Sequence, residues 1–348
     1  MDGYILTRNE LAAWIDNLAD TFTVHGPVSG KYGQTVFRHI DNSKELVLDY
    51  GSTMMPPRVF IHPPHQSIFT ADRENGTITP AETGGKPQIL LGVHPCDVHA
   101  IALLDRVFRG ETRDPLYAAQ REATCIVAIN CTAACDPGFC RSMHTGPFLN
   151  LQPGGDIEIT LLADACLIEV GSRKGADLLN GERGAKARPA DFLEKQHLEQ
   201  KARASFKKHV DTRGLPELLA RNQHHPVFRE TAESRCLSCA NCTLVCPTCY
   251  CYNIVDTTAF DLKSVKRTRH WDSCQECDFA RVHEDNFRSS REARLRQFVT
   301  HKLSSWLDQY GAFGCVGCGR CMTWCPTGID LIEIVKRIQD DQRDKRPI

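Results

Sequence analysis

The chain has 348 residues, with 42 lysines and arginines against 43 aspartates and glutamates. That balance gives no basic signal for nucleic acid or a membrane surface, and no window of about 18 apolar residues exists to insert into a bilayer. Eighteen cysteines follow a start, Met1-Asp2-Gly3-Tyr4, without a basic region and apolar stretch. This predicts a cytoplasmic protein whose cysteines hold metal rather than disulfides, in two or three domains.

Thr7 to Phe22 reads as a helix. Thr7 and Glu10 form a capping-box pair, and Leu11, Trp14, Ile15, Leu18 and Phe22 share one face. From Phe37 to about Val93 the pattern becomes short strands, with Glu45–Tyr50 and Gln88–Val93 as candidates. The second leads into His94-Pro95-Cys96-Asp97 and a helix from about Val98 to Phe108. Thr124–Ile129 reads as a buried strand that delivers a loop containing Cys131, Cys135 and Cys140. Strand, cysteine turn, helix, strand, cysteine loop predicts an α/β layer with a site at the strand ends.

Asp156 to Val170 reads as a strand pair. Cys125 and Cys166 lie inside apolar runs and are expected as buried packing residues. Ala190 to Ala220 is charged and helix-prone and is expected to be a solvated connecting helix. Its histidines, with His224 and His225, are expected at the surface.

Two runs near the C-terminus share one spacing. Cys236, Cys239, Cys242 and Cys246 precede Pro247, and Cys315, Cys318, Cys321 and Cys325 precede Pro326. Each is C-x2-C-x2-C-x3-C-P, the pattern that holds a 4Fe–4S cube, whose four irons each take one thiolate. In paired-cluster proteins the fourth cysteine serves the other cube. This predicts one site from Cys236, Cys239, Cys242 and Cys325, and a second from Cys315, Cys318, Cys321 and Cys246. Gly317 and Gly319 leave room for backbone N–H groups near the sulfurs. Structural zinc, in a binding or structural subunit, is the competing reading, but the third cysteine at the same step is then surplus. The insert between the runs carries a helical pattern from Arg288 to Tyr310. A closing amphipathic helix covers Ile329 to Ile338, and a frayed tail containing Asp341, Arg343 and Asp344 begins at Asp340.

Cys96, Cys131, Cys135 and Cys140 lie on two loops that each follow a predicted buried strand. They are candidates for a third 4Fe–4S cluster, and Asp136-Pro137-Gly138 suits a turn that wraps a cofactor. The rival set is Cys249, Cys251, Cys274 and Cys277, able to hold a cluster or a zinc ion. Cys246-Pro247-Thr248-Cys249 also matches a redox dithiol, although Cys246 is already claimed by a cube. No dinucleotide fingerprint, P-loop, nickel motif, H-E-x-x-H or G-x-S-x-G is present, so the chain is expected to carry electrons without substrate chemistry of its own.

Several stretches together resemble a family. Gly92 to Ile101 resembles the G-x-R-P-C-D segment of the iron–sulfur beta subunits of soluble NiFe hydrogenases, the sulfhydrogenases. Phe139 to Pro147 resembles their C-F-C-x-S-M-G-T-G-P loop. Cys246-Pro247-Thr248-Cys249-Tyr250-Cys251 and His270-Trp271-Asp272-Ser273-Cys274 also match. The A subunit of anaerobic sulfite reductase is similar in layout. In this chain His94 replaces an arginine, His144 a glycine and Gly138 a cysteine, while Cys135 and Cys277 are additions. The resemblance implies an α+β chain: an N-terminal α/β domain over 1–225 and a mostly helical dicluster ferredoxin domain over 226–348. It also implies a relay between hydrogenase large and small subunits and a flavin subunit that handles NAD(P). The alternative complex is the sulfite reductase, where the chain feeds a sirohaem subunit.

Overall fold

The computed structural model describes residues 3–82, 85, 87–151, 154–179 and 184–343. Ten strands precede the cysteine runs: β1 (Gly3–Leu6), β2 (Thr23–Ser29), β3 (Thr35–His39), β4 (His65–Asp72), β5 (Ile78–Pro80), β6 (Gln88–Val93), β7 (Thr124–Ile129), β8 (Ile157–Leu161), β9 (Cys166–Val170) and β10 (Ala185–Lys186). Eight of them form one sheet in the order β10-β1-β9-β8-β7-β6-β2-β3. Its centre, β2-β6-β7-β8, is parallel. β6 is buried along its whole length and β7 nearly so, because parallel strands are covered on both faces and need apolar residues throughout.

Helix Arg8–Thr21 covers one face with Leu11, Trp14, Ile15 and Leu18. Its first turn is closed as the sequence predicts, with Thr7 N–H donating to Glu10 at 2.7 Å and Glu10 N–H donating to the Thr7 hydroxyl at 3.2 Å. Helix Pro95–Phe108 covers the other face with Val98, Ile101 and Leu104. Each large apolar side chain so buried contributes about 1.5–3 kcal/mol. Since β6 and β7 run parallel, the turns that follow them, with Cys96 and Cys131, emerge at the same sheet edge.

Beyond the first cysteine run, β11 (Tyr252–Thr258) and β12 (Ser264–Trp271) form a hairpin that joins a second sheet, β11-β12-β4-β5, all antiparallel. Helices Pro226–Ser234, Arg291–Thr300 and Leu331–Arg343 then pack around Phe228, Leu295, Phe298, Val335 and Ile338. The same core includes Phe139 and Met143, which come from the loop after β7. The fold is α+β, with its helices gathered towards the C-terminal region.

Several expectations change. Glu45–Tyr50 is not a strand: Ser43–Glu45 is a 3-10 turn and Leu46 makes one isolated bridge to Val28. Pro27, beside that bridge, has no N–H to extend the ladder. The connecting helix is two helices, Pro189–Ala204 and Leu215–Arg221. The first is not simply solvated, because Lys195 is buried between Glu158, at 2.8 Å, and Glu169. His225 is buried; its Nδ1 accepts from Val227 N–H at 3.2 Å and its Nε2 lies 2.9 Å from Asp341. That contact holds the final turns, so the closing helix continues through Asp341 to Arg343 rather than fraying at Asp340; Asp344 lies outside the described residues. Cys166 is buried, while Cys125 is only half-buried.

Candidate metal centres

Cys236 follows helix Pro226–Ser234. Ser238 and Ala240 then take the left-handed conformation, and a short helix, Asn241–Leu244, carries Cys242. This winding turns the first run around a cavity lined by Cys236, Cys239, Cys242, Cys321 and Cys325, with Leu295, Phe298 and Ile334 as its apolar wall. Cys325 thus comes from the second run and faces three cysteines of the first. Backbone N–H groups donate to sulfur here, Ser238 to Cys236 at 3.4 Å and Ile329 to Cys325 at 3.3 Å.

Cys246 lies instead among the second run, where its thiol acts electrostatically on Cys315, Cys318 and Cys321. Burial pushes Cys315 up to about 12 and Cys318 up to about 11. Gly317 N–H donates to the Cys315 sulfur at 3.4 Å. Gly317 and Gly319 have φ of 65° and 80°, a region where glycine alone is free of penalty. They also have no room for a side chain. A Cβ on Gly317 falls 2.7 Å from the Cys140 nitrogen, and one on Gly319 falls 2.8 Å from the Gly138 nitrogen.

That close approach joins the second run to the N-terminal layer. Phe139 N–H donates to Gly317 C=O at 2.7 Å, and the Thr145 hydroxyl donates to Val316 C=O at 2.6 Å. Against this seam lies a second cavity, lined by Cys96, Cys131, Cys135, Cys140 and Cys318 together with His94 and Arg320. The ligand atoms of His94, Cys131 and Cys135 all lie within 4.8 Å of one another. A hydrogen bond from Cys131 holds Cys135 well below the ordinary thiol range, against its burial, and His94 and Arg320 add to the effect. His94 is fixed by stacking on Tyr50, with ring centres 3.9 Å apart. One buried ion pair ties the two cysteine regions together. Arg320, between Cys318 and Cys321, makes two 2.7 Å bonds to Asp97, the neighbour of Cys96, and a third at 2.7 Å to Thr53 C=O. Asp97 stood in a recognisable motif, but its partner 223 residues away had no signal in the sequence.

Of the rival set, Cys251 and Cys274 are hydrogen-bonded to each other, and Cys249 is hydrogen-bonded to Cys246. Cys277 is exposed, 3.9 Å from the Asn286 amide.

Charge tests whether these sulfurs suit an anionic cluster. Six lysine or arginine side chains are buried among the described residues: Arg58, Lys195, Arg269, Arg294, Lys302 and Arg320. Lys195, Arg269 and Arg320 pair with carboxylates. Arg58, Arg294 and Lys302 have no carboxylate partner among the described residues, and all three reach the cysteine regions. Arg294 reaches Ser238 of the first run at 3.3 Å. Arg58 and Lys302 act on Cys246 and Cys249. Buried cations need a counter-charge, and a cube held by four thiolates supplies one. The residues present therefore fit 4Fe–4S clusters.

An α+β chain whose helical end winds two such runs around one another is an iron–sulfur electron-transfer subunit that carries 4Fe–4S clusters. The 4Fe–4S dicluster domain family matches residues 235–329. Over 335 residues the chain is 32% identical to the sulfhydrogenase 2 subunit beta of Pyrococcus furiosus, covering 94% of this chain and 95% of that protein. The chain belongs to the sulfhydrogenase beta subunit family. No solved structure matches it. No helix among the described residues is long and apolar enough to cross a membrane.

Proposed function

We propose that this protein is the cytoplasmic relay of a hydrogenase complex, passing electrons between the large and small hydrogenase subunits and a flavin subunit that handles NAD(P). The observation that carries the reading is the cavity shared by Cys236, Cys239, Cys242 and Cys325. It supports one ligand set, and the position of Cys246 against Cys315, Cys318 and Cys321 supports the other. Cys96, Cys131, Cys135 and Cys140 form a third set in the N-terminal layer, so that the chain is read as 1–225 plus a dicluster region over 226–348. When bound, iron–sulfur clusters take up and release single electrons.

The chain's own residues arrange the relay. Cys318 lines the N-terminal cavity and Cys321 lines the cavity of the first run. The second run therefore lies between the other two sets and gives an order of N-terminal layer, second run, first run. Purification of the native complex tests the function. Nickel-containing hydrogenase subunits and a flavin subunit are expected with the chain, and a sirohaem subunit in their place overturns the reading. The isolated chain is expected neither to oxidise hydrogen nor to reduce NAD(P). In Cys246→Ser, the spectrum of the cluster at Cys315, Cys318 and Cys321 is expected to change; a change confined to the first-run cluster overturns the ligand assignment.

A further inference from the structure

Six cysteines remain outside the relay, and three of them, Cys249, Cys251 and Cys274, lie near the base of one hairpin. Cys249 and Cys251 are carried by the short stretch that connects the first run to β11, and Cys274 follows β12. The hairpin brings the two ends together, since β11 and β12 pair from Tyr252–Trp271 outward and Asp272 N–H donates to Cys251 C=O at 2.9 Å. Cys251 and Cys274 therefore meet across the base of the hairpin, within hydrogen-bonding reach.

Two buried cations from segments far apart in the chain reach this place. Arg58 comes from the 3-10 turn Pro57–Phe60 and is only 2% exposed. Its guanidinium lies 3.8 Å from the Trp271 ring centre, and its Nε has no hydrogen-bond partner. Its charge acts on Cys249, Cys246 and Cys251. Lys302 comes from the π-helical turn His301–Ser305 and is 4% exposed. Its ammonium donates to the Thr248 hydroxyl at 3.0 Å and Gly314 C=O at 3.3 Å. Neither has a carboxylate within ion-pair distance among the described residues. The cluster set of Cys246 and Cys315 neutralises Lys302 in part, but Arg58 acts first on Cys249 and has no such neighbour beyond Cys246. A desolvated guanidinium whose first neighbour is a neutral thiol is unfavourable. Deprotonated, metal-bound thiolates remove that cost, and a π turn that presents a side chain inward is a frequent mark of a functional site.

We propose that Cys249, Cys251 and Cys274 hold a separate anionic, thiolate-bound metal centre, counterbalanced by Arg58 and Lys302. Cys277, three residues after Cys274, is the nearest cysteine in sequence to supply a fourth thiolate, and it reaches the others only by leaving Asn286. The inference rests on the reading of the chain as an iron–sulfur subunit, but its test is independent of the partners.

The experiment compares metal and sulfide content of the full-length chain, purified anaerobically, with that of Cys251→Ser and Cys274→Ser. Cys166→Ser, at a buried thiol on the other sheet, is the reference. A loss of about four iron and four sulfide per chain in either site variant, with none in the reference, identifies a further cube. A loss of one zinc with iron unchanged identifies a zinc site; both outcomes support the centre. Unchanged iron, sulfide and zinc in both folded variants overturns it and leaves the relay clusters intact. Should either variant fail to fold, Arg58→Gln in the full chain is measured, and here too a metal content equal to wild type overturns the proposal.

Discussion

The cavity of the first cysteine run and the cavity of the N-terminal layer are built by opposite means. In the first, Cys236, Cys239 and Cys242 come from seven consecutive residues, wound by left-handed residues at Ser238 and Ala240. In the second, Cys96 follows β6, Cys131 follows β7, Cys135 and Cys140 lie further along the loop, and Cys318 closes the wall from the other region. In the first, only the fourth thiolate, Cys325, must arrive from the second run, and the other three are set by local winding. A site assembled from distant segments is only as secure as the contacts that dock them.

The Arg320–Asp97 pair offers the largest test of that difference. Arg320→Met leaves Asp97 buried without its partner, which costs about 3–5 kcal/mol. Thermal unfolding is expected to shift accordingly, and iron analysis is expected to show loss at the N-terminal set before the first run. Equal loss from both breaks the comparison. Lys195→Met has a similar expected cost, about 3–5 kcal/mol, because Glu158 and Glu169 stay buried. Its effect is confined to the N-terminal layer, so spectra of clusters at the two C-terminal runs are expected to persist in the folded variant.

Gly317→Ala is a smaller change at the seam. It places a side chain at φ 65° and 2.7 Å from the Cys140 nitrogen, a strain of about 1–3 kcal/mol. Denaturant unfolding reads that cost, and the spectrum of the N-terminal cluster is expected to shift with the moved loop. Thr7→Ala is the smallest. It removes the N-cap of a helix distant from every cysteine site, at about 1 kcal/mol, with iron content expected to equal wild type.

The capping box at Thr7 and Glu10, the buried strands Gln88–Val93 and Thr124–Ile129, and the spacing of the two cysteine runs were all legible in the sequence. Each depends on residues within a few positions of one another, where helix period, strand burial and ligand spacing act directly. Lys195 and His225 read as surface groups in the sequence, because a charged stretch looks solvated until its partners are known. Glu158, Glu169 and Asp341 become neighbours only in the fold. The hairpin β11–β12 leaves no clear signal in the sequence for a related reason. β11 is exposed along its length, so it carries no alternation of buried and exposed residues, and β4, which pairs with β12 on its other side, lies some 200 positions earlier.

Sequence by itself determined that this protein binds 4Fe–4S clusters, since four thiolates at fixed short spacing answer the demand of a cube whatever surrounds them. Tertiary structure alone decided which sets are neighbours. The seam of Gly317 and Gly319 against the loop at Cys140, the Arg320–Asp97 pair, and the approach of Arg58 and Lys302 to the remaining thiols all join residues far apart in the chain. Close packing and the need to neutralise buried charge act on distances in space, and those distances exist only once the chain has folded.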